Sequence, residues 1–154
     1  VTRIKCKTPS TGKPLLVTKV DVTTNYETIA EAPDFSVPDP SNTFANRDPT
    51  DTTRAVRPGE VFFITPISAR NKTANTYWVE VQLYTEANVA ISFGKISVPP
   101  YDTAFIPIQG RSIFKRNPDS LNGDAIQVRA EANNVFDVWT SAEEKLSNEH
   151  IGVI

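Results

Sequence analysis

The chain is 154 residues long, with a formal net charge of −2 and a pI near 5.4. That length holds one domain with a real core, and the charge offers no global attraction to nucleic acid or a membrane surface. A single cysteine, Cys6, excludes an internal disulfide and a cysteine-rich zinc site.

The chain changes character near residue 60. Up to Glu60 it holds seven of the twelve prolines and few sustained apolar runs. The first nineteen residues carry Arg3, Lys5, Lys7, Lys13 and Lys19 with no acid. Asp21, Glu27, Glu31, Asp34, Asp39, Asp48 and Asp51 come next, against only Arg47. Opposed blocks of this kind tie parts of an arm together, bind it to a neighbouring subunit, or are simply solvated. Leu15–Thr24 has the β-branched content of a strand, with Leu16, Thr18, Val20 and Val22 as its apolar face. Tyr26–Ala30 extends it past a turn at Asn25. In Glu31–Asp51, Pro33, Pro38, Pro40 and Pro49 remove backbone donors and push their predecessors towards extended geometry, which argues against a helix. The segment reads as disordered or as an extended strap on a partner, with Phe35, Val37 and Phe44 as anchors. Arg57-Pro58-Gly59-Glu60 makes a tight turn into the strand-rich part of the chain.

From Val61 short strands come quickly. Val61–Arg70 is one, with Pro66 implying a bulge or an edge position. After a turn over Asn71–Thr76, Tyr77–Thr85 alternates, with Tyr77, Val79, Val81 and Leu83 on one face and Trp78, Glu80, Gln82 and Tyr84 on the other. Ala90–Val98 is next, with a bulge at Gly94, then Tyr101–Ile108 and a short edge strand at Ser112–Lys115. Ala125–Glu131 turns Ile126, Val128 and Ala130 inward. Asn133-Asn134 reads as a hairpin turn, because Asn tolerates positive φ. Val135–Glu143 closes the series with Phe136, Val138 and Thr140 on one face. About seven strands over 61–144 predict an all-β antiparallel sandwich, Ig-like or jelly-roll-like. An extended proline-rich arm over 1–60 and a short tail over 145–154 flank it.

Chemistry is sparse. The one histidine, His150, lies near the C-terminus, where chains are commonly mobile, so a held catalytic pair is not expected. Cys6 has lysines on both sides but no base or oxyanion site in view. No phosphate-loop, dinucleotide, zinc-protease or calcium-loop motif is present. Glu80, Glu86 and Glu143-Glu144 read as solvated carboxylates. Asn71-Lys72-Thr73 matches a glycosylation sequon but reads as a polar turn. The aromatic residues carry more information. Trp78, Tyr84 and Trp139 are stacking platforms for sugars, anchors at a subunit interface, or core. At least one tryptophan is expected in the core, with Trp139 as the interface anchor.

Three segments carry a family resemblance: FITPISARNKTANTYWVEVQLY over 63–84, ISVPPYDTAFIPIQG over 96–110 and GDAIQVRAEANNVFDVWTSAEE over 123–144. In this order and spacing the chain resembles small β-sandwich virion structural proteins of tailed bacteriophages, over Val61–Glu144. The resemblance implies a non-enzymatic structural role in head decoration, neck or tail, and transfers no catalytic residues, metal or cofactor. Its implied partners are other virion proteins and further copies of the chain, with no direct nucleic acid or membrane contact. The expected location is the virion, after synthesis in the bacterial host cytoplasm. The competing reading is a carbohydrate-binding module for host attachment, stacking sugars on Trp78, Tyr84 or Trp139.

Overall fold

The computed structural model describes residues 13–33, 59–115 and 122–146, and all its regular elements there are strands. In chain order they are β1 (Lys13–Lys19), β2 (Glu27–Glu31), β3 (Gly59–Phe63), β4 (Ile67–Asn71), β5 (Tyr77–Tyr84), β6 (Ala90–Val98), β7 (Thr103–Ile106), β8 (Ser112–Phe114), β9 (Ala125–Ala130) and β10 (Phe136–Leu146). The anchors Phe35, Val37 and Phe44, like Cys6 and His150, lie outside the described residues.

Two antiparallel sheets result. In the second, the order is β2-β9-β5-β6. The first is built around β10. One side of β10 pairs with β1, from Lys13 opposite Glu144 to Lys19 opposite Val138. Its other side pairs with β4 over Phe136–Trp139 and with β3 over Ala142–Leu146. β7 and β8 lie beyond β4 and β3 respectively. β3 and β4 are thus two halves of one interrupted strand, broken at Ile64–Pro66. Pro66 has no N–H to give to a ladder. Side chains fill in at the break: Ser141 N donates to Thr65 Oγ1 at 2.9 Å, and Thr140 Oγ1 donates to Thr65 O at 2.9 Å. The proline expectation for this strand therefore takes the form of a break in one continuous path. Gly94, at φ +124, marks the expected bulge in β6, where the β5–β6 register shifts.

Alternation turns one face of each sheet inward. Val61, Phe63, Ile67 and Phe136 from the first sheet, and Val79, Val81, Ile126 and Val128 from the second, are at most 1% exposed and belong to one core cluster. Burying each such side chain contributes about 1.5–3 kcal/mol. The core is one body shared by both sheets.

Three sequence expectations change. The boundary at residue 60 divides elements that fold together: β1 is an edge of the first sheet and β2 an edge of the second. Val17, Val22, Ala30 and Ala32 are in the core. The linkers are tied in as well, with Val22 N donating to Phe136 O and Ala32 N to Asp124 O, both at 2.9 Å. These strands are too short to show sustained periodicity, and their partners lie far along the chain. The face assigned to Leu15–Thr24 is also reversed. Val17 is buried and Leu16 is 70% exposed, because the β10 register sets Val17 opposite the inward Thr140. Val22 still reaches the core because the strand ends at Lys19, and Asp21, at φ +56, turns the chain. Finally, Asn133-Asn134 is a turn with positive φ at Asn134 but not a hairpin, since β9 and β10 belong to different sheets. Among the described residues the opposed charge blocks meet where Lys19 Nζ lies 2.8 Å from Glu27 Oε2.

Candidate functional site

The inward alternation leaves each sheet an outer face, and the two faces differ in chemistry. On the first sheet, Phe136, Val138 and Thr140 point inward, so Trp139 points out. Its neighbours across the sheet are Thr18 on β1 and Ser68 on β4, and Phe105 on β7 lies opposite Ser68. Leu16 sits two residues along β1 from Thr18, on the same face, opposite Ser141. Leu16, Phe105 and Trp139 are 70%, 63% and 38% exposed. Ser68 is only 8% exposed although it faces outward, so the flanking side chains shield it. Exposed Ile64 joins this region through its N–H, which donates to Ser141 O at 2.9 Å. An apolar band therefore crosses the outer face from edge to edge. Trp139 is where alternation put it; Leu16 and Phe105 are additions that sequence reasoning missed.

The outer face of the second sheet is polar and internally bonded. Glu80 on β5 and Arg129 on β9 are cross-strand partners, and Arg129 Nη2 and Nε lie 2.6 and 2.8 Å from Glu80 Oε1. The same oxygen accepts the Tyr26 hydroxyl at 2.7 Å, and the guanidinium lies 4.4 Å from the Tyr26 ring centre. The Tyr26 phenol is pushed up to about 12, first by burial and then by the hydrogen bond to Glu80 and its charge. The Glu80 carboxyl is held below its ordinary value by the Tyr26 hydroxyl and by Arg129, against the opposing effect of burial. Trp78 completes the cluster, with Lys95 Nζ 4.0 Å and the Arg129 guanidinium 5.7 Å from its ring centre. Neither tryptophan is in the core, contrary to the expectation for at least one. Trp78 sits half-buried beneath cationic side chains from β6 and β9, and its ring is not an open platform.

Further along the same face, Gln82 Nε2 donates to Gln127 Oε1 at 2.7 Å, and Gln127 Nε2 reaches Thr28 Oγ1 at 3.4 Å. Beyond this ladder, Tyr84 lines a groove of about 410 Å³ together with Thr28, Glu31, Glu86, Asn88 and Gln127. A smaller apolar cavity of about 220 Å³ opens between the sheets at Phe63, Leu83 and Phe93, with Arg111 on its rim.

The three aromatics singled out in the sequence do not share a site. Trp139 is on the first sheet, while Trp78 and Tyr84 stand about 20 Å apart along β5. Among the described residues no cluster of three or more His, Cys, Asp or Glu side chains could hold a metal ion. No helix there is long and apolar enough to cross a membrane. The sequon residue Asn71 is fully buried, and its amide is occupied. Nδ2 donates to Asn75 O and Val98 O, and Oδ1 accepts from Thr73 N and Oγ1. No family model, curated protein or solved structure matches this chain.

Proposed function

We propose that this chain is a structural subunit of a bacteriophage virion, of head, neck or tail, that docks onto further copies of itself through the outer face of the first sheet. The observation carrying the proposal is the exposed band of Leu16, Trp139 and Phe105. A soluble surface seldom leaves a tryptophan, a phenylalanine and a leucine together in water unless something covers them. Tryptophan is also the residue type most enriched among the anchors that dominate binding energy. Thr18 and Ser68 flank Trp139 on the neighbouring strands, so the band mixes exposed apolar anchors with small polar side chains, as interfaces commonly do.

Strand order supports the architecture expected of such a subunit. With β3–β4 counted as one interrupted strand, and β7–β8, which pair with its two halves, as another, β1 lies beside β10 and β2 beside β9. Successive strands change sheets everywhere except at β5–β6. That double wrap is the order of a jelly roll, whereas an Ig-like domain pairs its first two strands in one sheet. Jelly rolls occur in viral capsid and lectin domains, but a fold alone names no function, and the exposed surface carries the reading.

Sedimentation velocity of the full chain tests the reading. The wild type is expected to self-associate, and Trp139→Ala and Phe105→Ser are expected to shift it to monomer with the melting temperature unchanged. A wild type that stays monomeric at every concentration, or an oligomer indifferent to both substitutions, overturns it.

A further inference from the structure

The groove beside Tyr84 belongs to neither the core nor the apolar band, and its walls are built from several separate parts of the chain. Tyr84 ends β5 opposite Ala125 of β9, and Thr28 and Glu31 come from the edge strand β2. The rim is the tight turn after β5. Thr85 N donates to Val89 O at 2.8 Å, Asn88 N donates to Thr85 O at 2.8 Å, and Asn88 adopts φ +63. Asp124 fastens that rim to the body, accepting Glu86 N at 2.9 Å on one carboxylate oxygen and Phe114 N at 3.2 Å on the other. The Gln82–Gln127 hydrogen bond holds one wall, so the groove is formed before any ligand arrives.

Its lining selects among ligand classes. Glu31 and Glu86 place carboxylates along the groove, which disfavours phosphates, sulfates, sialic acids and nucleic acid. The walls are mainly hydroxyl, amide and carboxylate groups, which suit a ligand rich in O–H donors rather than a lipid or an apolar peptide. One aromatic side chain, Tyr84, offers a flat surface for the C–H face of a sugar ring. The volume of about 410 Å³ falls in the range of about 300–1,000 Å³ typical of small-molecule sites.

We infer that this groove binds a neutral saccharide, with Tyr84 as its stacking surface and the Thr28, Gln127 and Glu86 side chains as its hydrogen-bonding walls. The inference is independent of the self-docking face, which lies on the other sheet. Of the three aromatics that could stack sugars, Tyr84 is the one that lines this groove; the Trp78 ring is occupied by Lys95, and Trp139 lies in the apolar band.

The test is a glycan array probed with the full chain. The probes are oligosaccharides ending in neutral hexoses, deoxyhexoses and N-acetylhexosamines, bacterial surface oligosaccharides included, beside matched sialylated and sulfated sets. Binding to neutral members is expected, followed by titration calorimetry with the best of them. Tyr84→Ala is expected to weaken that binding about tenfold, and Tyr84→Phe to preserve it. Thr28→Arg, an exposed change that crowds the groove, is expected to abolish it, and Trp139→Ala to leave it unchanged. Thr28→Arg keeps the test decisive if Tyr84→Ala impairs folding. Silence across the neutral set, binding confined to anionic glycans, or neutral binding indifferent to Thr28→Arg overturns the inference.

Discussion

Tyr26 donates its hydroxyl to Glu80 Oε1 at 2.7 Å, joining the segment between the first two strands to the middle of β5. Arg129 closes the triangle from β9. The phenol is raised to about 12, so the folded state favours its protonated form. Its contribution to stability is full below the unfolded value near 10 and is lost as pH rises from about 10 to about 12. The depressed Glu80 carboxyl works at the other end of the scale. Its contribution is present above the ordinary glutamate value and is lost as pH falls through its lower folded value. Spectrophotometric titration is expected to show a late tyrosine step near pH 12, assigned to Tyr26. In Glu80→Gln that late step moves back towards the ordinary tyrosine range, and Glu80→Ala costs about 1–3 kcal/mol in denaturant unfolding. A titration curve unchanged by Glu80→Gln contradicts the assignment.

How much of this arrangement is legible in the sequence depends on where each strand's alternation originates. In β5, YWVEVQLY alternates within itself, so Trp78, Glu80, Gln82 and Tyr84 are legible as one outward face. β9 is legible for the same reason. In β1, LLV offers no contrast between neighbours, and the choice of Val17 over Leu16 for the core is made by register against β10. TAFI in β7 is similarly uniform, which hides Phe105. Sequence can place Trp78 and Tyr84 on one face. It cannot show that Lys95 and Arg129 cover the first ring while a groove opens beside the second, because those neighbours are set by pairing across three strands.

Deleting residues 1–57 is expected to abolish cooperative folding. The deletion removes both β1 and β2, and with them Val17, Val22, Ala30 and Ala32 from the core. It also leaves one side of β10 without its ladder partner and β9 at a bare edge. Deleting only residues 1–12 removes none of the described strands and is expected to leave the thermal transition in place. Far- and near-ultraviolet circular dichroism on the two truncations separates these outcomes; a cooperative melt from the longer deletion would contradict the shared core.

Asn71 is a third sensitive point. It is buried, and each polar atom of its side chain is used in holding the β4–β5 connection to itself and to the end of β6. Asn71→Ala strands Thr73 N and Val98 O away from their partners, at an expected cost of about 3 kcal/mol. Asn71→Asp is expected to be at least as damaging, since it turns a carboxylate oxygen towards two backbone carbonyls. Urea unfolding measures both, and a loss below about 1 kcal/mol in either would contradict these roles for the amide.

Pro33 and Gly59 meet where the chain leaves β2 and enters β3. Gly59 N donates to Pro33 O at 2.9 Å, and a β-carbon on Gly59 would lie 2.2 Å from that oxygen and 2.5 Å from Pro33 Cγ. The obstruction is backbone and a closed ring, neither of which can swing aside, so Gly59→Ala is expected to cost about 1–3 kcal/mol. The same contact brings together Pro33 and Gly59, the described residues on either side of 34–58. Nothing in the sheets requires that segment to span a distance, and closing a shorter loop costs less chain entropy. Replacing 34–58 with a short Gly-Ser linker is therefore expected to leave the melting temperature within a few degrees of wild type, with Phe35, Val37 and Phe44 removed. Sedimentation of that variant then separates two sources of assembly. Association that persists without the three anchors but disappears with Trp139→Ala assigns self-docking to the sheet face. Association lost with the segment, in a chain that still melts cooperatively, assigns it to the anchors instead.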